Sequence, residues 1–390
     1  MITGASKVLP SVDRLNCVRE QSMTERKGES SRMAFLINTV ALSFLFIGYF
    51  LTTGTALIDS DLIKVGFRLI SLALFLFAVL LVPRIRLSYL LTICFLIIYY
   101  IINQSAVVVN VMYLVIMAIS LHRLNPREAS IAIIAPVFII VILHLMLLSM
   151  GKLDASPIDI GERTRSTMGF ANANQASAIY LSLSILALFA HQMVATKASL
   201  ILVLASFLVG FAVVGMTDSR TSMFAMLLVL ALKLFEYLFQ RIKAYRVVIR
   251  NAAAASAFVA SAITYFIATS NSLELDILLS LRPYYFSEFL RSATPFEFII
   301  GWSTIEGFGV DNLFLMLLSG FGVIGSIFII LTVSYRIYRM SFGCLAIVIT
   351  MMSASVFEGF LIRPEIPISV LFMYLLLARY LKNEKSALRF

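Results

Sequence analysis

Six arginines, Arg163, Arg165, Arg220, Arg282, Arg291 and Arg363, lie in the connections between long apolar runs, several of them at the ends of those runs. A guanidinium is always charged and presents a planar fork of donors, the geometry that grips phosphate oxygens two at a time. A single such residue is ordinarily solvated or paired with a nearby acid. Several together on one side of an apolar chain point to a polyanionic ligand, with Arg163, Arg165, Arg220 and Arg282 as the phosphate-binding set. Arg363 joins them, although Glu358 and Glu365 stand close by in sequence and simple pairing is open for it.

Three segments carry the other five. In the first, Arg163 and Arg165 lead through Gly169, Phe170, Asn172 and Asn174 directly into an apolar run. Glycine permits a tight turn and asparagine caps helices, so the plain reading is a loop with an N-cap. The other reading is a phosphate cradle, with two guanidinium forks beside an open helix N-terminus and Asn172 and Asn174 touching substrate. The second segment, Asp218-Ser219-Arg220-Thr221, is a tight turn that fixes a guanidinium at the membrane surface, unless Arg220 merely pairs with Asp218.

The third runs from Arg282 through Tyr284, Tyr285, Glu288 and Arg291, then past Gly301, Gly307 and Gly309 to Asp311 and Asn312. Pro283 suits the first turn of a short helix, and the two tyrosines either rest on the membrane interface or stack on sugar rings. Asp311 is the candidate general base, with Glu288 in reserve and Asn312 as a substrate contact. An N-cap role for Asp311 is the structural alternative. No metal or cofactor is expected: His122, His144, His191, Cys17, Cys94 and Cys344 are scattered without ligand spacing, and the two long loops hold no DxD.

The elements that must position these residues follow from composition. Of 390 residues, 61% are hydrophobic and 13% charged, against roughly 45–50% and about 25% in soluble domains. Mean hydropathy is +0.96. Apolar runs of transmembrane length recur, placing helices at 34–53, 64–82, 87–103, 106–121, 131–150, 176–194, 198–216, 221–240, 251–270, 312–333, 341–358 and 366–382. The expectation is an all-α polytopic membrane protein of about twelve transmembrane helices.

Net charge is +10, but the basic residues fall in short clusters between apolar runs, which is the positive-inside bias rather than a nucleic-acid surface. Alternate loops hold Arg84 and Arg86, Arg123 and Arg127, Lys197, then Arg241, Lys243, Arg246 and Arg250, then Arg336 and Arg339, and finally the C-terminal Arg379, Lys382, Lys385 and Arg389. Both termini are therefore expected inside, with two larger loops, about 151–175 and 271–311, outside. Residues 1–32 read as a mobile polar cytoplasmic tail ahead of one transmembrane domain, 33–390. Met33 opens directly into the first apolar run, so translation from Met23 or Met33 is a second reading. The GxGxxG match at Gly320, Gly322 and Gly325 lies inside an apolar run without a βαβ unit and reads as a helix-packing surface.

In the order of its three segments the chain resembles the O-antigen ligase and polymerase family, multi-pass transferases that assemble bacterial surface polysaccharide. The resemblance covers roughly residues 160 to 335: an arginine loop ending in Gly169, Phe170 and Asn174, then Ser219-Arg220 two helices on, then an outward loop opened by Arg282 and closed by Gly309, Asp311-Asn312 and Leu313, with Gly320 and Gly322 downstream. Ligases of the family carry histidine where this chain has Asp311, so the resemblance leans toward a polymerase of the Wzy type.

What the resemblance implies is a glycosyltransferase on the outer face of a bacterial cytoplasmic membrane, joining polyprenyl-diphosphate-linked oligosaccharide units. Membrane lipid surrounds such a protein, and a flippase and a chain-length regulator are its implied partners; no nucleic acid is. The arginines would neutralise the leaving diphosphate, as a metal does elsewhere, and a carboxylate would take the acceptor proton. Direct in-line attack implies inversion. The rival class is a lipid-linked oligosaccharide flippase or transporter, whose usual signs are internal repeats and charged or broken helices at mid-membrane. No segment of the chain repeats.

Overall fold

The computed structural model describes residues 12–81, 87–122, 124–155, 157–160, 163–270, 272–279, 281–302 and 311–377. Each apolar run becomes a helix. They are α1 (Val12–Tyr49), α2 (Asp61–Leu80), α3 (Leu87–Asn103), α4 (Ala106–Leu121), α5 (Pro126–Ser149), α6 (Ala173–Val194), α7 (Lys197–Met216), α8 (Arg220–Phe239), α9 (Lys243–Thr269), α13 (Leu313–Tyr338), α14 (Phe342–Ala354) and α15 (Pro367–Leu377). Three short helices, α10 (Leu273–Leu278), α11 (Arg282–Arg291) and α12 (Pro295–Ile300), fold within the second long loop. The protein is thus a mostly helical, multi-pass membrane protein.

Among the described residues eight helices are long and apolar enough to cross a bilayer: the Ser31–Gly54 portion of the first, then α2, α5, α6, α7, α8, α9 and α13. The apolar parts of α3, α4, α14 and α15 are shorter, at 10–17 residues. Their outer surfaces show what solvent the fold expects. Leu62, Leu80, Leu208 and Tyr237 are each more than 70% exposed, and a water-soluble protein does not display apolar area on that extent. Helix α6 is the central one, with Tyr180, Ile185 and Phe189 fully enclosed, whereas α2 lies at the periphery.

The ends of the helices are set by local chemistry. Asn125 and Glu128 form a reciprocal capping box at α5, and Thr294 and Glu297 another at α12, where Pro295 takes the first turn. Asn172 caps α6 by accepting from the Asn174 N–H, and Asn312 caps α13 by accepting from Phe314 and Leu315.

Four features depart from the sequence expectation. The polar stretch expected as a mobile tail is helical from Val12 and continues into α1. The first long loop carries an antiparallel hairpin, β1 (Pro157–Ile160) with β2 (Arg163–Ser166), pairing Ile158 with Arg165, so the chain is not purely helical. The run at 341–358 stops being helical at Ala354, which leaves Glu358 in the connection to α15. Helix α13 is broken at Gly322, where φ is +60°. A Cβ there would lie 2.1 Å from the Ile299 carbonyl oxygen, so the second loop presses its backbone directly onto the break. Gly320 and Gly325 do serve close packing, against Val107 and Tyr99.

Candidate functional site: an arginine-lined cavity

The three sequence segments meet at one set of helix ends. Helix α8 has 20 residues, about 30 Å at 1.5 Å per residue, so Arg220 at its start and the basic turn after Phe239 lie at opposite ends. Arg282 begins α11, just after Leu281 in a left-handed conformation (φ +63°). Asp311 immediately precedes the capping residue of α13, with Arg336 in that helix's last turn.

The hairpin loop reaches the site because the bundle holds it there. Gly169 turns with φ +77°, and a Cβ on it would lie 2.5 Å from Leu153. Phe170 then packs edge-on against Phe50 at 5.7 Å, beside the π-helical turn Phe50–Gly54 whose last carbonyl accepts from the Ala171 N–H. Buried His144 ties the same loop down, with Nε2 2.6 Å from the Met168 carbonyl and Nδ1 2.7 Å from the Tyr180 hydroxyl. That histidine is structural.

So anchored, β2 delivers Arg165 between two helices. Its Nε donates to the Thr217 carbonyl at 2.9 Å, just past α7, and its Nη2 donates to Asn174 Oδ1 at 2.8 Å, in the first turn of α6. Arg165, Asn174, Asp218, Arg220, Arg282 and Glu358 line a common cavity of about 370 Å³, with Phe224, Leu279 and Phe357 among its apolar walls. Three guanidiniums face two acids there.

Arg282 donates from Nη2 to Glu358 Oε1 at 3.0 Å and lies 5.5 Å above the Phe357 ring. Glu358 is 7% exposed. Burial pushes its carboxyl up to about 8, assisted by the adjacent Asp311 charge and a hydrogen bond with Asp311, against the pull of Arg282 and Arg363. Asp311 in turn accepts on Oδ1 from Arg363 Nη2 and from the Gly359 N–H, both at 3.1 Å. Arg363 therefore pairs with Asp311, not with the acids near it in sequence; Glu365 is taken by Arg68 at 2.7 Å. Tyr49 Oη and Glu365 Oε2 are buried without a bond partner among the described residues.

The remaining sequence candidates divide. Asn312 is fully buried and its side chain is committed to structure: beyond capping α13, Nδ2 donates to Thr264 Oγ1 at 3.1 Å and to the Val356 carbonyl. It is the cap where Asp311 was the alternative. Asn172 caps α6 and does not line the cavity, whereas Asn174 does. Glu288 pairs with Arg291 at 2.9 Å on α11, away from the cavity lining. Tyr284 and Tyr285 are about half exposed and pack edge to face on each other at 5.5 Å, also outside the lining. The Arg163 side chain and Gly307, Gly309 and Val310 lie outside what the structure describes. Glu358 and Phe357 were not singled out as site residues from sequence. The signal available for Glu358 was an ionisable residue ending an apolar run, which marks function by default in a membrane protein.

The chain matches no protein-family model, no curated protein and no solved structure.

Proposed function

We propose that the protein is a glycosyltransferase that joins polyprenyl-diphosphate-linked oligosaccharide units into a polysaccharide at the outer face of a bacterial cytoplasmic membrane. The observation that carries this reading is the convergence of Arg165, Arg220 and Arg282, from three separate segments, on one cavity at one end of the helices. Guanidiniums preorganised in a partly enclosed site stabilise charge as it develops on a leaving diphosphate and need no reorganisation to do so. The carboxyls beside them, Asp311 and Glu358, supply a proton acceptor for the attacking hydroxyl. Attack opposite the departing diphosphate inverts the anomeric carbon. Under this reading all twelve apolar helices cross the bilayer, both termini are cytoplasmic, and the hairpin and α10–α12 lie outside.

One observation favours the transporter alternative. Helix α13 is broken at Gly322, and interrupted helices are a feature of transporters. The purified protein, reconstituted with one defined lipid-linked repeat unit and no nucleotide or added metal, separates the two. A ladder of polymer lengths is the expected product. Translocation of the repeat unit across vesicles without any ladder would establish the flippase instead.

A further inference from the structure

The cavity reading leaves open which carboxyl receives the acceptor proton. Sequence favours Asp311, which does not line the cavity; its lining carboxyls are Asp218, in the turn beside Arg220, and Glu358, which Arg282 holds. Asp311 lies one step behind it, its Oδ1 occupied by the Arg363 guanidinium and the Gly359 amide. Both of these are donors, so Asp311 Oδ1 acts as an acceptor toward them, and its charge lies beside the Glu358 carboxyl. Arg282 holds Glu358 Oε1.

Resting on the transferase reading above, we infer that Glu358 is the general base of the reaction, and that Asp311, backed by Arg363, is a positioning residue that fixes the Glu358 carboxyl and tunes it. The acceptor hydroxyl gives its proton to the ionised Glu358 carboxylate while its oxygen bonds to the anomeric carbon. The bond from that carbon to the diphosphate oxygen breaks, and the electron pair leaves on the diphosphate, against Arg165, Arg220 and Arg282. Glu358 then passes its proton to the departing diphosphate or to water. The balance is one glycosidic bond made, one anomeric phosphate ester broken, and one proton moved.

Two physical points support the assignment. A general base works best with a pKa near the operating pH, and burial together with the Asp311 charge holds Glu358 in that range. A diphosphate that engages Arg282 competes with Glu358 for the same guanidinium, so donor binding removes the cation that weakens the base. The charged groups around Glu358 are Arg282 from α11, Asp311 before α13, Arg363 after Ile362, and Arg165, Asp218 and Arg220 across the cavity.

The test is the ladder assay run across pH on wild type, Glu358→Gln, Glu358→Asp and Asp311→Asn, each at checked membrane abundance. Glu358→Gln is expected to lose about 10²–10⁴ in rate while still binding the lipid-linked repeat unit. Asp311→Asn is expected to keep polymerising, with the acid limb of its profile moved to lower pH, because removing the neighbouring negative charge lets Glu358 ionise earlier. A merely structural Asp311 would not move that limb. Should Glu358→Gln fail to accumulate, Glu358→Asp, expected to retain a weak ladder, and the Asp311→Asn shift carry the test. A wild-type rate from Glu358→Gln, an inactive Asp311→Asn, or an unshifted Asp311→Asn profile overturns the assignment. A wild-type protein that makes no ladder at all overturns the transferase reading beneath it.

Discussion

Arg165 shows how much a single side chain is asked to do. Two of its edges are used at once, Nε on the Thr217 carbonyl and Nη2 on Asn174, and a fork can do this where a point charge cannot. Arg165→Lys is therefore expected to abolish polymer nearly as fully as Arg165→Ala, and the same holds for Arg220 and Arg282 if they grip phosphate bidentately. Assays of the three lysine variants check this; wild-type yield from all of them would make the site one of net charge only. The arginines were legible in sequence because charge in an apolar chain is costly and conspicuous. Their partners were not. Arg363 lies beside Glu365 in sequence yet bonds Asp311, and Arg282 finds Glu358 76 residues away.

Among the elements, α13 is where a linear pattern misleads. Its hydropathy is that of one uninterrupted span, but Gly322 takes φ +60° with the Ile299 carbonyl at the place its Cβ would occupy. Gly322→Ala combines that collision with a left-handed backbone, a strain of order 1–3 kcal/mol before the clash is counted. Lower melting temperature in detergent is expected, whereas Gly66→Ala in α2, with open space around it, is expected to be neutral or slightly stabilising. Equal melting of the two variants would mean that the break is not required. Helix positions followed from hydropathy and run length, and the α6 cap from asparagine before a run. The hairpin β1–β2 did not, because four-residue strands carry too little alternation to stand out.

For the molecule as a whole, Lys243 and Arg246 beyond the far end of α8 and Arg336 in the last turn of α13 stand at helix ends opposite the arginine cavity, and the positive-inside rule makes this the basis of the proposed orientation. Single cysteines placed in the hairpin and in α11 are expected to react with an impermeant thiol reagent in intact cells, and one placed beside Lys243 to react only after permeabilisation. Protection of both the hairpin and the α11 positions would overturn the proposed orientation and with it a site outside the membrane. That the protein belongs in a membrane, that about twelve apolar helices build it, and which arginines stand at their ends are all properties of local composition, readable because a bilayer tests each segment separately for length and hydropathy. Which of those ends converge is a different kind of information. The cavity, the Glu358–Asp311 pair and the anchoring of Asn312 on Thr264 and Val356 arise from contacts between segments distant in sequence, whose energies depend on how whole helices pack, and only the assembled bundle decides them.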